Sequence, residues 1–532
     1  MLQIPKTRFA STARSRKVSA WSRATGVFVA FVVLATASAG IAVGKTVRAS
    51  AAGGTLTVAT PGPASGFDPS VGSSAQTSYT PWAYDPLIVW EPDGSFKAGL
   101  ALSWSYGARN KSFSLRLRPG VRFSDGTRFD AAALKSWFEY AATVPGGGSQ
   151  AYLKGLSAIK VTGPLSLDLI FNTPTPLLPA ILSQVFTVGM PASPKATQAK
   201  SLATATDGAG EYVLDSAQTV SGDHYTYVPN RYYWNKSAVH WKKVVVKVIS
   251  NPSTVLQALK TGQAQVAIDQ PVSSVAAAKA AGLKAVTPLV LMMTLNLMDR
   301  SGKLAPPLAD VRVRQALNYA IDRKAIANVI GAGYGLPIDQ MAVPGDDGFD
   351  PSLQNAYPYN PAKARQLLAA AGYPNGFTFS AVATPVVGLD TFGQAVAGQL
   401  AKVGVTLNVE VKDPNSYGGA VFTAQYPAAT ISWGRLPSPV QYNILWGPSA
   451  GFGNPFKSTD VELSRLYYKM IAASPARERV LAQETQKLLV QHAWFLPVFA
   501  NPLVELYRSD VAGVTATSKR DVYYAPEIYP AK

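Results

Sequence analysis

The sequence predicts an α/β fold, and two strand-helix-strand units together with a series of capped amphipathic helices predict it. In the first unit, Val244 to Ile249 reads as a strand. A helix follows with Asn251 as cap, Pro252 at its start and Gly262 at its stop, and Val266 to Ile268 is the next strand. In the second, strand 377–382 precedes a helix from about Leu389 to Val403 carrying Phe392, Val396 and Leu400, and strand 405–411 follows Gly404. Connections of this kind build parallel sheets covered by helices.

The helices of the middle of the chain carry complete start and stop signals. Asp310 caps a helix whose Val313, Ala316, Leu317 and Ala320 share one face. Asp322 caps a short second helix that stops at Gly331, and Gly331 to Gly335 reads as that stop. Asn360 caps a third, with Pro361 at the first helical position, Ala364, Leu367, Leu368 and Ala371 as its buried stripe, and Gly372 as a left-handed stop. By pattern alone these are core helices of any α/β protein. Two further helices are expected at about 459–473 and 475–492, then a strand-like return from Trp494 to Val504.

Toward the N-terminus, 55–59 alternates like a strand. Residues 112–141 read as two strands, an Asp125-Gly126 turn and a helix capped by Asp130. With a Gly146 to Gly148 loop, a hairpin through Gly163-Pro164 and a Pro-rich 174–179 segment, this makes a small α+β unit.

A chain of 532 residues, 47% hydrophobic and 10% aromatic, is too long for a single core, so two or three domains are expected. Lys6, Arg8, Arg14, Arg16, Lys17 and Arg23 precede an apolar run from Gly26 to Val43, which reads as an export signal. Residues 1–51 are therefore a signal peptide cleaved after Ala51 or near Ala39, or an uncleaved membrane anchor. Either way the bulk of the chain lies outside the cytoplasm. No second apolar segment is long enough to span a bilayer.

The absence of cysteine excludes disulfides, thiolate metal sites, a cysteine nucleophile and a lipid-modified cysteine. Net charge is +18, but residues 1–51 hold eight basic and no acidic groups, leaving 41 basic against 31 acidic and a net +10. No basic run interleaved with aromatics points to nucleic acid. His224, His240 and His492 stand at no metal-ligand spacing, and neither a phosphate loop nor a dinucleotide motif occurs, so no metal or cofactor is expected. Gly447-Pro448-Ser449-Ala450-Gly451, with Asp460 and His492 downstream, matches the order of a serine hydrolase. The glycines, Asn454 and Pro455 after Ser449 argue for a loop where a nucleophile elbow needs a helix.

Specific blocks of the chain resemble the peptide/nickel (oligopeptide/dipeptide-binding) family of extracytoplasmic solute-binding proteins, the substrate-binding components of ABC transporters. They are Phe67-Asp68-Pro69; Tyr84 with Leu87; Asp93-Gly94; Leu100-Ala101 with Trp104; 112–141; 210–220 with 230–236; and 310–326 with 359–377. The resemblance spans about residues 54–515. It implies a two-lobed periplasmic-binding-protein-like α/β fold of class II type, with an extra α+β subdomain and hinge crossings between lobes. The implied division is 52–98 for the first part of lobe 1, 99–210 for the subdomain, 211–304 for the second part of lobe 1, 305–498 for lobe 2, and 499–532 for a C-terminal return to lobe 1. Hinges would lie near Lys303 to Pro307 and Leu496 to Pro502.

It further implies a monomer that captures a peptide-like or other small polar solute between the lobes and delivers it to a permease with cytoplasmic ATPases. A ligand sensor or chaperone using the same cleft is the alternative binding role, and a secreted esterase the alternative enzyme. Aromatic rings with a few polar groups line such pockets. Expected ligand contacts are Trp433, Arg435, Leu436, Ser438, Tyr442, Trp446, Phe452 and Asn454 from one lobe, and Phe67, Trp82 and Tyr84 from the other. Asn296 would be a contact or hinge support. Peptide-binding relatives carry an aspartate three residues after the Trp, where this chain has Leu436, and an Asp-Pro where it has Ser438-Pro439. A buried ammonium without a carboxylate is heavily penalised, so the expected cargo is a neutral or anionic solute, or an N-blocked peptide, with Arg435 as the remaining charge.

Overall fold

The computed structural model describes residues 54–71, 76, 78–144, 149–517, 520 and 524–531. The leader, its cleavage sites and the Gly146 to Gly148 loop lie outside them. Among the described residues no helix is long and apolar enough to cross a membrane.

Two mixed sheets organise the α/β chain. The first has seven strands in the order Lys284–Val286, Val504–Tyr507, Val266–Gln270, Thr55–Thr60, Lys243–Val248, His224–Pro229, Tyr212–Leu214. The second has six, in the order Leu336–Pro337, Phe495–Pro502, Leu289–Leu297, Ala428–Trp433, Thr378–Ala383, Thr406–Val411. A four-stranded antiparallel sheet of Ala101–Tyr106, Ser112–Leu117, Ser166–Phe171 and Leu156–Gly163 packs under helix Ala131–Ala141, capped by the Asp130 side chain.

The local signals fold as expected, with two refinements. Asn251, Asp310, Asp322 and Asn360 each accept an N–H in the first turn of their helices. Val313, Ala316, Leu317 and Ala320 are all buried. In helix Pro361–Ala370, however, Ala364 and Leu368 are buried while Leu367 is only half-buried. Gly331 ends its helix at φ −79°, and the left-handed residues are Ala332 at φ 47° and Gly333 at φ 80°.

Both strand-helix-strand units are parallel, but only the second joins neighbours. Strands Thr378–Ala383 and Thr406–Val411 pair directly. Strand Thr55–Thr60 instead inserts between Lys243–Val248 and Val266–Gln270, parallel to both.

Side chains alternate along a strand, and the second sheet is covered on both faces. Met293, Leu295 and Leu297 pack with the helices at 311–319, 361–370 and 389–401. Met292, Ile431 and Trp433 pack on the other face with Leu463 and Leu489 of helices Val461–Ile471 and Pro475–His492.

The chain does not pass between the two sheets near Lys303 to Pro307, where the hinge was expected. Leu289–Leu297 is a central strand of the second sheet, so the chain has already crossed at Thr287-Pro288. The Lys303 to Pro307 segment instead forms a turn closed by the Asp299 carboxylate, which accepts the N–H groups of Lys303, Leu304 and Ala305 at 2.8, 2.6 and 2.9 Å. Phe495–Pro502 is likewise a strand of the second sheet, and the return crossing falls at Leu503. The two crossings run side by side: Leu289 pairs with Pro502, the Leu503 N–H donates to the Pro288 carbonyl (3.0 Å), and Val286 pairs with Glu505.

Candidate functional site

Register places one edge of each sheet at the crossings. Gln270, at the carboxyl end of its strand, pairs with Val504, the first residue past the return crossing. Trp433, at the carboxyl end of Ala428–Trp433, pairs with Met292, near the start of the strand that follows the outward crossing. The carboxyl ends of parallel strands from both sheets therefore converge at the junction, where open α/β sheets bind ligands.

On the first sheet this edge holds Thr60, whose hydroxyl donates to Ser78 Oγ at 3.2 Å, and Asp269, 3.5 Å from Ser78. Asp269 sits at φ 56° beside a register shift between Ala267 and Gln270. A bulge with a left-handed residue redirects a side chain at some cost in strain, a feature common beside functional sites. On the second sheet, Thr384 follows strand Thr378–Ala383 and leads to Val387 at φ 46°. Lys279 Nζ donates to the Tyr334 hydroxyl (3.2 Å), joining the helix Ser274–Ala280 of the first sheet to the second half near the crossings.

Trp433 is fixed at this edge. Its Nε1–H donates to Asn296 Oδ1 (3.3 Å), which also accepts from Thr294 Oγ1 (2.7 Å), and its ring meets Phe452 edge-on with centroids 5.8 Å apart. Asn296 is wholly buried, so it sets the indole's orientation. Phe452 and Leu436 are half-buried.

Arg435 does not stand as an unmatched charge. It forms a buried ion pair with Asp346, to whose Oδ1 its Nε donates at 2.7 Å. Burial raises the Asp346 carboxyl above its ordinary range and the Arg435 charge pulls it back. Asp347 accepts the Ser438 N–H and hydroxyl, both at 3.0 Å, at the start of the short helix Ser438–Gln441. Its carboxyl is raised by burial against the pull of those bonds. Glu478, in the first turn of Pro475–His492, is raised to about 7 by burial and then by Asp347. The 346–347 pair was missed in the sequence because nothing local ties a Val-Pro-Gly-Asp-Asp-Gly turn to a segment 89 positions later.

Trp433 is itself buried in a core cluster, and the other expected aromatic contacts likewise turn into the cores of their own halves. Tyr442 stacks on Tyr467 with centroids 4.0 Å apart and shares a hydrogen bond with Ser464 (2.9 Å). Trp446 is buried against Phe495. Asn454 Nδ2 donates to the carbonyls of Trp446, Gly447 and Ser458 at 3.3, 3.1 and 2.7 Å, tying the 446–458 loop. Phe67 packs edge-on against Tyr79 and Tyr225, and Trp82 against Tyr212. Tyr84 is buried, and burial pushes its hydroxyl pKa well up. Phe67, Trp82 and Tyr84 thus belong to one core cluster, and Trp433, Tyr442 and Trp446 to another.

The hydrolase motif has no elbow geometry. Tyr442–Trp446 is a π-helical turn rather than a strand end, and Ser449 is exposed in the loop after it. His492 Nε2 lies 3.1 Å from Asp460 Oδ2, but that carboxylate also caps helix Val461–Ile471, accepting the Leu463 N–H at 2.7 Å. Among the described residues no group of three or more His, Asp or Glu could hold a metal ion.

Known structures share this architecture. The DppA periplasmic binding protein of Helicobacter pylori, in complex with the peptide STSA, aligns with a TM-score of 0.77 at 22% identity, over 90% of this chain and 99% of that one. The binding protein AgaA of A. tumefaciens R10, in complex with agropinic acid, aligns with a TM-score of 0.78 at 22% identity, over 90% and 99%. In sequence, the glutathione-binding protein GsiB of Salmonella typhimurium (strain LT2) is 27% identical over 454 residues, covering 81% of this chain and 85% of that protein. Residues 95–454 match the model for the bacterial extracellular solute-binding proteins, family 5 Middle. That match covers well over half the chain, and the chain belongs to the bacterial extracellular solute-binding proteins of family 5.

Proposed function

We propose that this chain is the substrate-binding component of an ABC importer. Outside the cytoplasm it captures a peptide-like or other small polar solute between its two sheets and delivers it to a membrane permease. The observation that carries this reading is the convergence of both sheets' carboxyl edges, with the fixed indole of Trp433, at a pair of adjoining crossings. A solute touching both edges stabilises the closed arrangement, and a 1:99 to 99:1 shift in that equilibrium needs about 5.5 kcal/mol of differential affinity. The chemistry is binding and release, since Ser449 is not poised against a base.

The cargo is a neutral polar solute or a peptide without an ordinary free N-terminus. Leu436 offers an apolar surface where peptide-binding relatives carry a carboxylate, and the Arg435 charge is matched by Asp346. The curated relatives bind glutathione, a tripeptide whose first linkage runs through a γ-carboxyl, so its ammonium stands away from the place where an ordinary peptide presents one. Calorimetric titration compares unblocked di- to pentapeptides, their N-acetyl counterparts and glutathione. Submicromolar binding of the unblocked peptides would refute the cargo assignment, and native mass spectrometry of the purified protein identifies any carried-over solute. Trp433→Ala should weaken whatever binds by at least tenfold.

A further inference from the structure

Away from the junction of the two sheets, the Asp85 charge acts on Glu211, which stands just before the edge strand Tyr212–Leu214 of the seven-stranded sheet. The backbones that carry them are in close contact. The Gly210 N–H donates to the Ala83 carbonyl (3.0 Å), and a Cβ on Gly210 would stand only 2.6 Å from the Tyr84 nitrogen. Glycine at 210 therefore permits an approach that sets the flanking carboxyls against each other. Both side chains are completely enclosed.

Asp85 is anchored by Trp234, whose Nε1–H donates to Oδ2 at 2.7 Å, and by the Tyr233 hydroxyl, which donates to Oδ1 at 3.4 Å. No other described residue donates a hydrogen bond to either carboxyl oxygen of Glu211. The other titratable groups facing the pair are Tyr212, Tyr524, Arg118 and, farther out, Glu91, which is itself paired with Lys97. The Arg118 guanidinium lies over the Trp234 ring, 4.0 Å from its centroid, and makes no ion pair with either carboxyl.

Two enclosed carboxylates without a paired cation cannot both be ionised. We propose that Asp85 and Glu211 keep a proton between them at neutral pH and form a pH-sensitive latch joining the 83–85 segment to the first sheet. Burial pushes Asp85 up to about 7 against the pull of Trp234 and Tyr233, and burial followed by the Asp85 charge raises the Glu211 carboxyl well above its ordinary range. In the unfolded chain both groups ionise near pH ~4. Above that pH the folded protein holds protons that the unfolded chain has released, so each group lowers the folding equilibrium constant about tenfold per pH unit until its own folded pKa is passed. The latch is complete on the acid side, and its stabilisation is lost as pH rises toward about 7 for Asp85, with a loss of the same sign from Glu211.

Two measurements on the purified protein test this. Infrared spectroscopy of the wild type at pH 6 should show the carbonyl stretch of a protonated carboxylic acid, reduced in Glu211→Gln and in Asp85→Asn. Urea unfolding between pH 5 and 7 should lose stability with rising pH, and Glu211→Gln should reduce that loss by about tenfold per pH unit in the equilibrium constant. If Glu211→Gln does not fold, Asp85→Asn supplies the comparison and the wild-type infrared titration still decides. A wild type without the acid band at pH 6, or a Glu211→Gln protein with an unchanged pH slope, overturns the proposal.

Discussion

Removing the carboxylate of Asp346 separates a structural Arg435 from a ligand-binding one. The pair is nearly sealed, with side-chain exposures of 8% for Arg435 and 10% for Asp346. Asp346 also accepts the Val343 N–H through Oδ2 at 2.8 Å, so it fixes the loop as well as the guanidinium. Asp346→Ala leaves a cation in the space shaped for an ion pair, which costs about 3 to 5 kcal/mol. In a folding unit of roughly 150 to 250 residues, each kcal/mol lowers the melting temperature by about 2 to 4 °C, so the transition of the second half should fall by about 6 to 20 °C. Differential scanning calorimetry and urea unfolding read this directly. Arg435→Met in the Asp346→Ala background should recover part of the loss, because it removes the uncompensated charge. A loss below about 1 kcal/mol in Asp346→Ala, or a double variant whose loss equals the two single losses added together, would refute the assignment of Arg435 to the ion pair.

Four further outcomes follow from named contacts. Asn454→Ala removes the amide whose two N–H groups are shared among the Trp446, Gly447 and Ser458 carbonyls, the first two buried, and should cost about 2 to 3 kcal/mol in urea unfolding. Gly376→Ala should cost at least about 2 kcal/mol, since its Cβ would stand 1.8 Å from the Gly404 carbonyl oxygen at a backbone φ of +77°; a thermal transition unchanged from wild type would contradict that geometry. Arg323→Lys should cost about 3 kcal/mol, because a lysine cannot span the carbonyls of Asn318, Ile338, Tyr357 and Pro497 together with the Asn318 amide oxygen. Ser449→Ala should shift stability by no more than about 0.5 kcal/mol and leave ester turnover at the background rate, as stopped assays with activated esters will show.

What was readable along the chain was what local chemistry decides. Asp310, Asp322 and Asn360 satisfy N–H groups two or three residues away, so a short window of sequence contains both donor and acceptor. The buried stripe of Val313, Ala316 and Leu317 is equally a matter of spacing. The crossing between sheets was not legible because Leu289–Leu297 owes its central position to partners at 428–433 and 495–502, which no local pattern announces. The aromatic cluster of 433–454 was legible as composition, but its division was not. Trp433 reaches the sheet edge, whereas Tyr442 meets a partner on Val461–Ile471 and Trp446 one on Phe495–Pro502.

The paired crossings at Pro288 and Leu503 have a mechanical consequence. Because the two spans are bonded to each other as well as to both sheets, they flex together like one leaf spring, not like two independent threads. Swinging the halves apart then amounts to winding or unwinding a single narrow ribbon.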